Sequence, residues 1–177
     1  EDLMIAVKFY ESSSSYKKAL LNITPDEQII AYSLSGEFVL KNPNTPVVFI
    51  AGGVGIAPFR SISQDIIEEK KFVNIVLFFV NPSKEDILFA DIFEKAKEFG
   101  VRTIYTLTDE SLIPIDWQGE KGRISPEMIQ RQIPDFKNRL FYISGPAPMV
   151  KSYESLLSSM GIPDKKIIVD YFPGYSE

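Results

Sequence analysis

The 177 residues suffice for one sizeable domain, or for a domain plus part of another, and a hydrophobic share of 45% can bury a real core. A formal net charge of −5 argues against a broad nucleic-acid-binding surface. The sequence has no Cys and no His, which excludes disulfides, thiolate metal sites, Cys-ligated iron–sulfur clusters, Ser-His-Asp hydrolysis and His-based acid–base work.

Any redox or transfer chemistry is therefore expected to be carried by a bound cofactor that the protein positions. The longest apolar runs, such as 75–80, are too short to cross a bilayer, and no basic segment followed by a long apolar stretch opens the chain. A cytoplasmic protein without direct membrane insertion and without a nucleic-acid partner is expected. Because the chain opens at Glu1 rather than Met, it is expected to be a processed or cut piece of something longer.

In chain order, 3–9 (LMIAVKF) has the character of a strand, 15–22 that of a short helix after a run of serines, and 28–32 and 37–40 that of two strands around Ser35-Gly36. So small a strand–helix–strand–strand set cannot bury its own apolar face, so residues 1–44 are expected to be the remnant of a second, β-rich domain. Asn42-Pro43-Asn44-Thr45-Pro46 is the expected linker, and residues 45–177 are expected to form an α/β domain.

Within that domain the apolar runs 46–51 and 73–80 are too continuous for a half-exposed strand and suit a buried parallel sheet. Helices are expected over 58–70, 87–99, 126–133 and 146–160, and further strands over 101–107, 139–144 and 166–172. Regular alternation of strand and helix predicts a five-stranded, doubly wound parallel sheet of order 3-2-1-4-5.

The strongest motif follows the first strand of that sheet: Gly52, Gly53 and Gly55, then Pro58 inside the opening helix. Glycine lets the chain turn sharply and lets a ligand approach without a side chain in the way, and a helix N-terminus presents free N–H groups to a pyrophosphate. A tight turn without a ligand is the alternative. The Gly53-to-Gly55 turn is expected to tolerate no side chain that faces the pyrophosphate. Pro58 stands where the usual dinucleotide fingerprint has its third glycine, and no Gly-Lys-Ser/Thr follows as a P-loop requires.

A second motif, Ser144-Gly145-Pro146-Ala147-Pro148-Met149, opens the helix after the fourth strand. In the expected order, the first and fourth strands are neighbours at the switch point, so both loops would face one crevice; a Pro-initiated helix cap is the plainer alternative. After the second strand comes Asn81-Pro82-Ser83-Lys84 rather than an acidic residue, so Ser83 and Lys84 are candidates for a ribose 2′-phosphate. A solvated loop explains the same residues, and Arg123 is a further candidate that needs no ligand to be accounted for.

Gly-Gly-x-Gly-x-x-Pro after the first strand, Ser-Gly-Pro-x-x-Met after the fourth, and an earlier Ser-x-x-x-x-Leu and Gly-x-Phe together resemble the ferredoxin–NADP reductase superfamily over the whole chain. The resemblance implies a flavin-binding β-barrel before the nucleotide domain, hydride transfer between NAD(P)H and FAD, and a redox partner protein or domain as electron acceptor. It implies that Gly145, Pro146 and Met149 lie by the nicotinamide or its ribose, that Ser14, Ser15 and Tyr16 match the second flavin element, and that Phe172 covers the flavin ring; a plain helix cap at Ser15 and an ordinary core aromatic at Phe172 are the alternatives.

The family's main flavin motif, Arg-x-Tyr/Phe-Ser/Thr, is absent from this sequence and is expected upstream of Glu1. The Cys that often precedes Gly-Pro in the family is Ser144 here. The expected activity is that of a flavin-dependent NAD(P)H oxidoreductase, of which this chain is a fragment. A nucleotide-binding or electron-transfer subunit without turnover of its own is the alternative. The electron-transfer subunit of dihydroorotate oxidation is disfavoured by the lack of Cys.

Overall fold

A computed structural model describes residues 5–9, 13–30, 36 and 38–172, with the backbone alone at Phe172. The chain divides into two compact units, Glu1–Glu37 and Phe38–Glu177.

In the first unit the described residues form one helix, α1 (Ser15–Leu21). Ser14 is its N-cap and accepts from the Lys17 backbone N–H at 3.4 Å, while Lys17 Nζ reaches the carbonyl of Lys8 at 2.9 Å. The described parts of two expected strands, 5–9 and 28–30, are not strands, and neither is 38–40 of the third. An extended segment becomes a strand only by hydrogen-bonding a neighbour, and none of these pairs among the described residues.

The second unit is a parallel sheet of six strands in the order β4-β3-β2-β1-β5-β6. These are β1 (Val47–Gly52), β2 (Ile75–Asn81), β3 (Val101–Leu107), β4 (Glu120–Lys121), β5 (Leu140–Pro146) and β6 (Ile167–Phe172). The helices are α2 (Ala57–Glu68), α3 (Ala90–Ala96), α4 (Pro126–Gln132) and α5 (Ala147–Ser159).

The doubly wound class is as expected, with one strand more. The added strand, β4, pairs with β3 only through Thr106↔Glu120 and Leu107↔Lys121 and lengthens the sheet beyond the expected edge. Every residue of β1 and β2 is buried, because both faces of the sheet are covered. One face, with Val48, Ile50 and Phe78, packs against Met128 and Ile129 of α4 and Val150 and Leu157 of α5. The other, with Phe49, Leu77 and Phe79, packs against Phe59 and Ile66 of α2 and Phe93 of α3.

Two details depart from the expected elements. Helix α3 begins at Ala90 rather than Ile87, because Phe89 takes a left-handed φ of 57° and breaks the helical run before it. Phe38, placed by sequence in the barrel remnant, stacks edge-on against Phe59 and Tyr142, and Tyr142 Oη donates to the Val39 carbonyl at 3.1 Å. Phe38 and Leu40 thus pack against the α/β core, while Val39 is exposed.

Candidate nucleotide-binding site

The sheet's switch point lies between β1 and β5, which run side by side in register from Val47↔Leu140 to Ala51↔Ser144. Beyond Gly52 the chain enters a 3₁₀ turn, Gly53–Ile56, and then α2, with Pro58 in its first turn. Beyond Pro146 it enters α5 directly.

The two turns lock together, and the glycines show how. A Cβ added to Gly55 would come within 2.6 Å of Gly145 Cα and nearer still to the Ser144 carbonyl oxygen. One added to Gly145 would lie 2.5 Å from Met149 Cε and 3.2 Å from the Gly52 carbonyl oxygen. One added to Gly52 would run into the Met149 thioether and sit 3.6 Å from Pro146 Cδ. Gly52, Gly55, Gly145, Pro146 and Met149 are therefore one packed unit. Gly53 differs: its φ is +53°, and an added Cβ would meet nothing within 4 Å. It is the glycine with open space before it, at the N-terminal approach to α2. At Gly55 a side chain would run into the neighbouring backbone of Ser144 and Gly145.

Two polar side chains lie at or near the C-terminal ends of the strands that flank β1: Asn81 is the last residue of β2, and Ser144 is two residues from the end of β5. Asn81 is 1% exposed and Ser144 0% exposed. Asn81 Oδ1 and Nδ2 and Ser144 Oγ have no hydrogen-bond partner among the described residues. Side chains alternate along a strand, so both lie on the face of Phe79 and Tyr142, beneath α2. Asn81 is held in place by its backbone, whose carbonyl accepts from Thr108 N at 3.0 Å and Thr108 Oγ1 at 3.3 Å.

On the opposite face a pocket of about 370 Å³ opens at the C-terminal ends of β2, β3 and β5, walled by Val80, Thr108, Arg123, Pro146, Met149 and Tyr153. The Tyr153 phenol is pushed above its usual range by burial, opposed by a backbone hydrogen bond with Ile124 and by the charge of Arg123. An arginine, hydroxyls and an apolar wall beside a glycine turn suit a ligand that is part anion, part planar ring.

Arg123 was a weak sequence candidate, and the structure brings it to the same pocket as Pro146 and Met149. Thr108 and Tyr153 were missed. Thr108 lies just past a strand end, which is the usable signal, whereas Tyr153 sits within the apolar stripe of α5 and reads as core.

Ser83 and Lys84 do not line this pocket. Ser83 Oγ donates to Asp86 Oδ2 at 3.0 Å within the 3₁₀ turn Lys84–Asp86. Lys84 lines a larger cleft of about 590 Å³ at the sheet edge, with Glu94, Tyr105 and Trp117 and none of the switch-point glycines. Ser14, Ser15 and Tyr16 form the start of α1 in the other unit. Phe172 is the last residue of β6, paired with Pro146, and its side chain lies outside the described part. Among the described residues, no cluster of acidic groups suits a metal, and no helix is long and apolar enough to cross a membrane.

Residues 49–155 match the model of the oxidoreductase NAD-binding domain. The chain is 27% identical over 147 residues to the reductase subunit of the glycine betaine monooxygenase of Chromohalobacter salexigens, covering 79% of this chain and 39% of that protein. It is 28% identical over 166 residues to one of the subunits of the Na(+)-translocating NADH-quinone reductase of Idiomarina loihiensis, covering 91% of this chain and 40% of that protein. Its fold matches the flavohemoglobin of Malassezia yamatoensis, solved with bound FAD and heme, at a TM-score of 0.70 and 20% identity, over 94% of this chain and 43% of that one. The chain thus spans about 40% of the length of the curated relatives it matches. By its matched residues, the chain belongs to the oxidoreductase NAD-binding domain family.

Proposed function

We propose that this chain is the NAD(P)H-binding part of a flavoprotein reductase that passes electrons to a separate redox partner protein or domain. The observation that carries the reading is the interlocked pair of glycine turns at the switch point, with Gly53 open on one side and the Arg123 pocket on the other. The two curated relatives, from Chromohalobacter and Idiomarina, are both subunits of multi-component redox systems, which supports delivery of electrons to a partner. When bound, NAD(P)H and FAD supply the hydride chemistry themselves, and the protein needs no side-chain acid or base for that step.

The chain's own groups do the positioning. The α2 N-terminus and the bare Gly53 admit the pyrophosphate. Pro146 and Met149 wall the nicotinamide side, while Gly52, Gly55 and Gly145 keep the two turns at one spacing. Asn81 stands among the nucleotide ligands. Ser14, Ser15 and Tyr16 in the first unit and Phe172 at the end of β6 are the contacts this chain offers to FAD. Acceptance of a 2′-phosphate rests on Lys84, since the Ser83 hydroxyl is engaged by Asp86. A cytoplasmic location is part of the same proposal.

The test is a calorimetric titration with NADH and NADPH. Gly53→Glu places bulk and negative charge where space is open, so the fold is retained and affinity falls at least tenfold. Unchanged affinity in the folded variant sinks the proposed pyrophosphate position. Tighter binding of NADH than NADPH by the unmodified chain removes the role given to Lys84.

A further inference from the structure

Asn81 is a buried polar residue, 1% exposed, with both ends of its amide, Oδ1 and Nδ2, unpaired among the described residues. Unpaired buried donors and acceptors are destabilising, and in native folds each calls for a reason. The usual reasons fail here. The residue does not cap a helix, and it pairs with no charged group. Its backbone already takes part in the β2–β3 ladder and accepts from Thr108, so the side chain is not needed to hold the strand end. A branched apolar residue of similar size would suit the surroundings, since Phe79, two residues earlier on the same face, is wholly buried in the apolar layer under α2 and α3.

Its position supplies the reason. Val80 pairs with Gly52, so Asn81 lies one step beyond the last paired residue of β1, level with the start of the Gly53–Ile56 turn. By strand alternation its side chain is on the α2 face, the face on which that turn and the α2 N-terminus lie. The chemistry then excludes a bare phosphate. A phosphate oxygen only accepts, and would leave Oδ1 unpaired. A sugar hydroxyl both donates and accepts, so neighbouring hydroxyls of one ribose satisfy both ends of an amide.

Building on the proposed nucleotide-binding function, we infer that Asn81 is a positioning residue whose side-chain amide binds ribose hydroxyls of the dinucleotide, at a cost to the stability of the ligand-free chain. Ser144, equally buried and unpartnered near the end of β5, marks the other side of β1 but offers a single hydroxyl and does not discriminate in this way.

The experiment compares the unmodified chain with Asn81→Leu and Asn81→Ala in two measurements without turnover: thermal unfolding in the absence of nucleotide, and calorimetric binding of NADH, ADP-ribose and inorganic pyrophosphate. Asn81→Leu is expected to raise Tm by about 2–4 °C, as removal of an unpaired polar group in a domain of this size should. NADH and ADP-ribose are expected to bind at least tenfold more weakly to both variants, while pyrophosphate binding stays within about twofold. The Ala variant serves if Leu does not fit the site.

A fall in Tm for both variants makes the amide structural and overturns the inference. So does unchanged affinity for NADH and ADP-ribose, and so does an equal loss for pyrophosphate, which would place the amide on the phosphate. If the unmodified chain binds neither NADH nor ADP-ribose, the nucleotide-binding reading itself fails, and the inference with it.

Discussion

At the scale of single residues, the glycines of the two turns divide into those that serve packing and the one that faces open space. Gly55 would put a Cβ 2.6 Å from Gly145 Cα, in a place bounded by backbone that has no rotamer with which to yield. Gly55→Ala is therefore expected to cost about 2–3 kcal/mol, the upper range for overpacking a tight site. Gly53→Ala meets no atoms and costs about 1–2 kcal/mol for its left-handed φ alone. Urea midpoints of the two variants check the order; a Gly53→Ala variant weaker than Gly55→Ala contradicts it. The sequence located every one of these glycines, because a glycine cluster at a strand–helix junction is visible without coordinates. Their separate tasks were not visible, since Gly55 is constrained by Ser144 and Gly145, residues distant in sequence that arrive beside it only when β5 pairs with β1. Tyr153 was hidden for a different reason: one side chain can belong to an apolar helix stripe and still line a pocket.

At the scale of elements, strands with a continuous apolar run were legible and the edge strand was not. Both layers of the core bury β1 and β2, and that double burial writes itself into the sequence as unbroken hydrophobicity. Strand β4 is Glu120-Lys121, with no apolar signal, and is set by contacts rather than propensity. The Glu120 carboxylate accepts from Arg131 at 2.8 Å and from Gln132 Nε2 at 2.7 Å, both on α4, and its carbonyl accepts from Trp117 Nε1 at 2.9 Å. Hydrogen bonding from Arg131 holds this carboxyl below its usual pKa, with Gln132 aiding and burial opposing. A carboxyl so depressed adds stability above its unfolded pKa, and that stability is lost as pH falls through the folded value. Glu120→Gln is thus expected to lower stability near neutrality by up to about 1 kcal/mol, as for other solvent-accessible pairs. The difference from the unmodified chain should vanish in the acidic range below the usual carboxylate pKa. Denaturant melts across that range measure it, and a gap that persists at the lowest pH removes the ion pair as its cause.

At the scale of the whole molecule, the α/β unit was legible because alternation of strand and helix leaves few topologies, whereas the first unit was not. Its described segments carry strand-like composition without strand pairing, and composition cannot report whether a partner is present. The contacts proposed for FAD are correspondingly few: three residues at the start of α1 and Phe172. As each 1.4 kcal/mol is about a tenfold change in affinity, so few contacts leave a large cofactor weakly held. The 177-residue chain is expected to be colourless and to take up no flavin at micromolar concentration. A flavin absorbance band that survives gel filtration would show that these residues hold far more of the cofactor. The sheet order also sets a timetable for refolding. β1 has two partners, and one of them, β5, follows β2, β3, β4 and α4 in the chain. The first three βα units can associate early through near neighbours, but the turn after β1 acquires its companion turn only once this long loop has closed, and such distant parallel pairing is slow. Helical ellipticity in stopped-flow refolding should therefore recover ahead of nucleotide-binding competence, so that a newly made chain passes through an interval in which it is largely folded and still blind to its ligand.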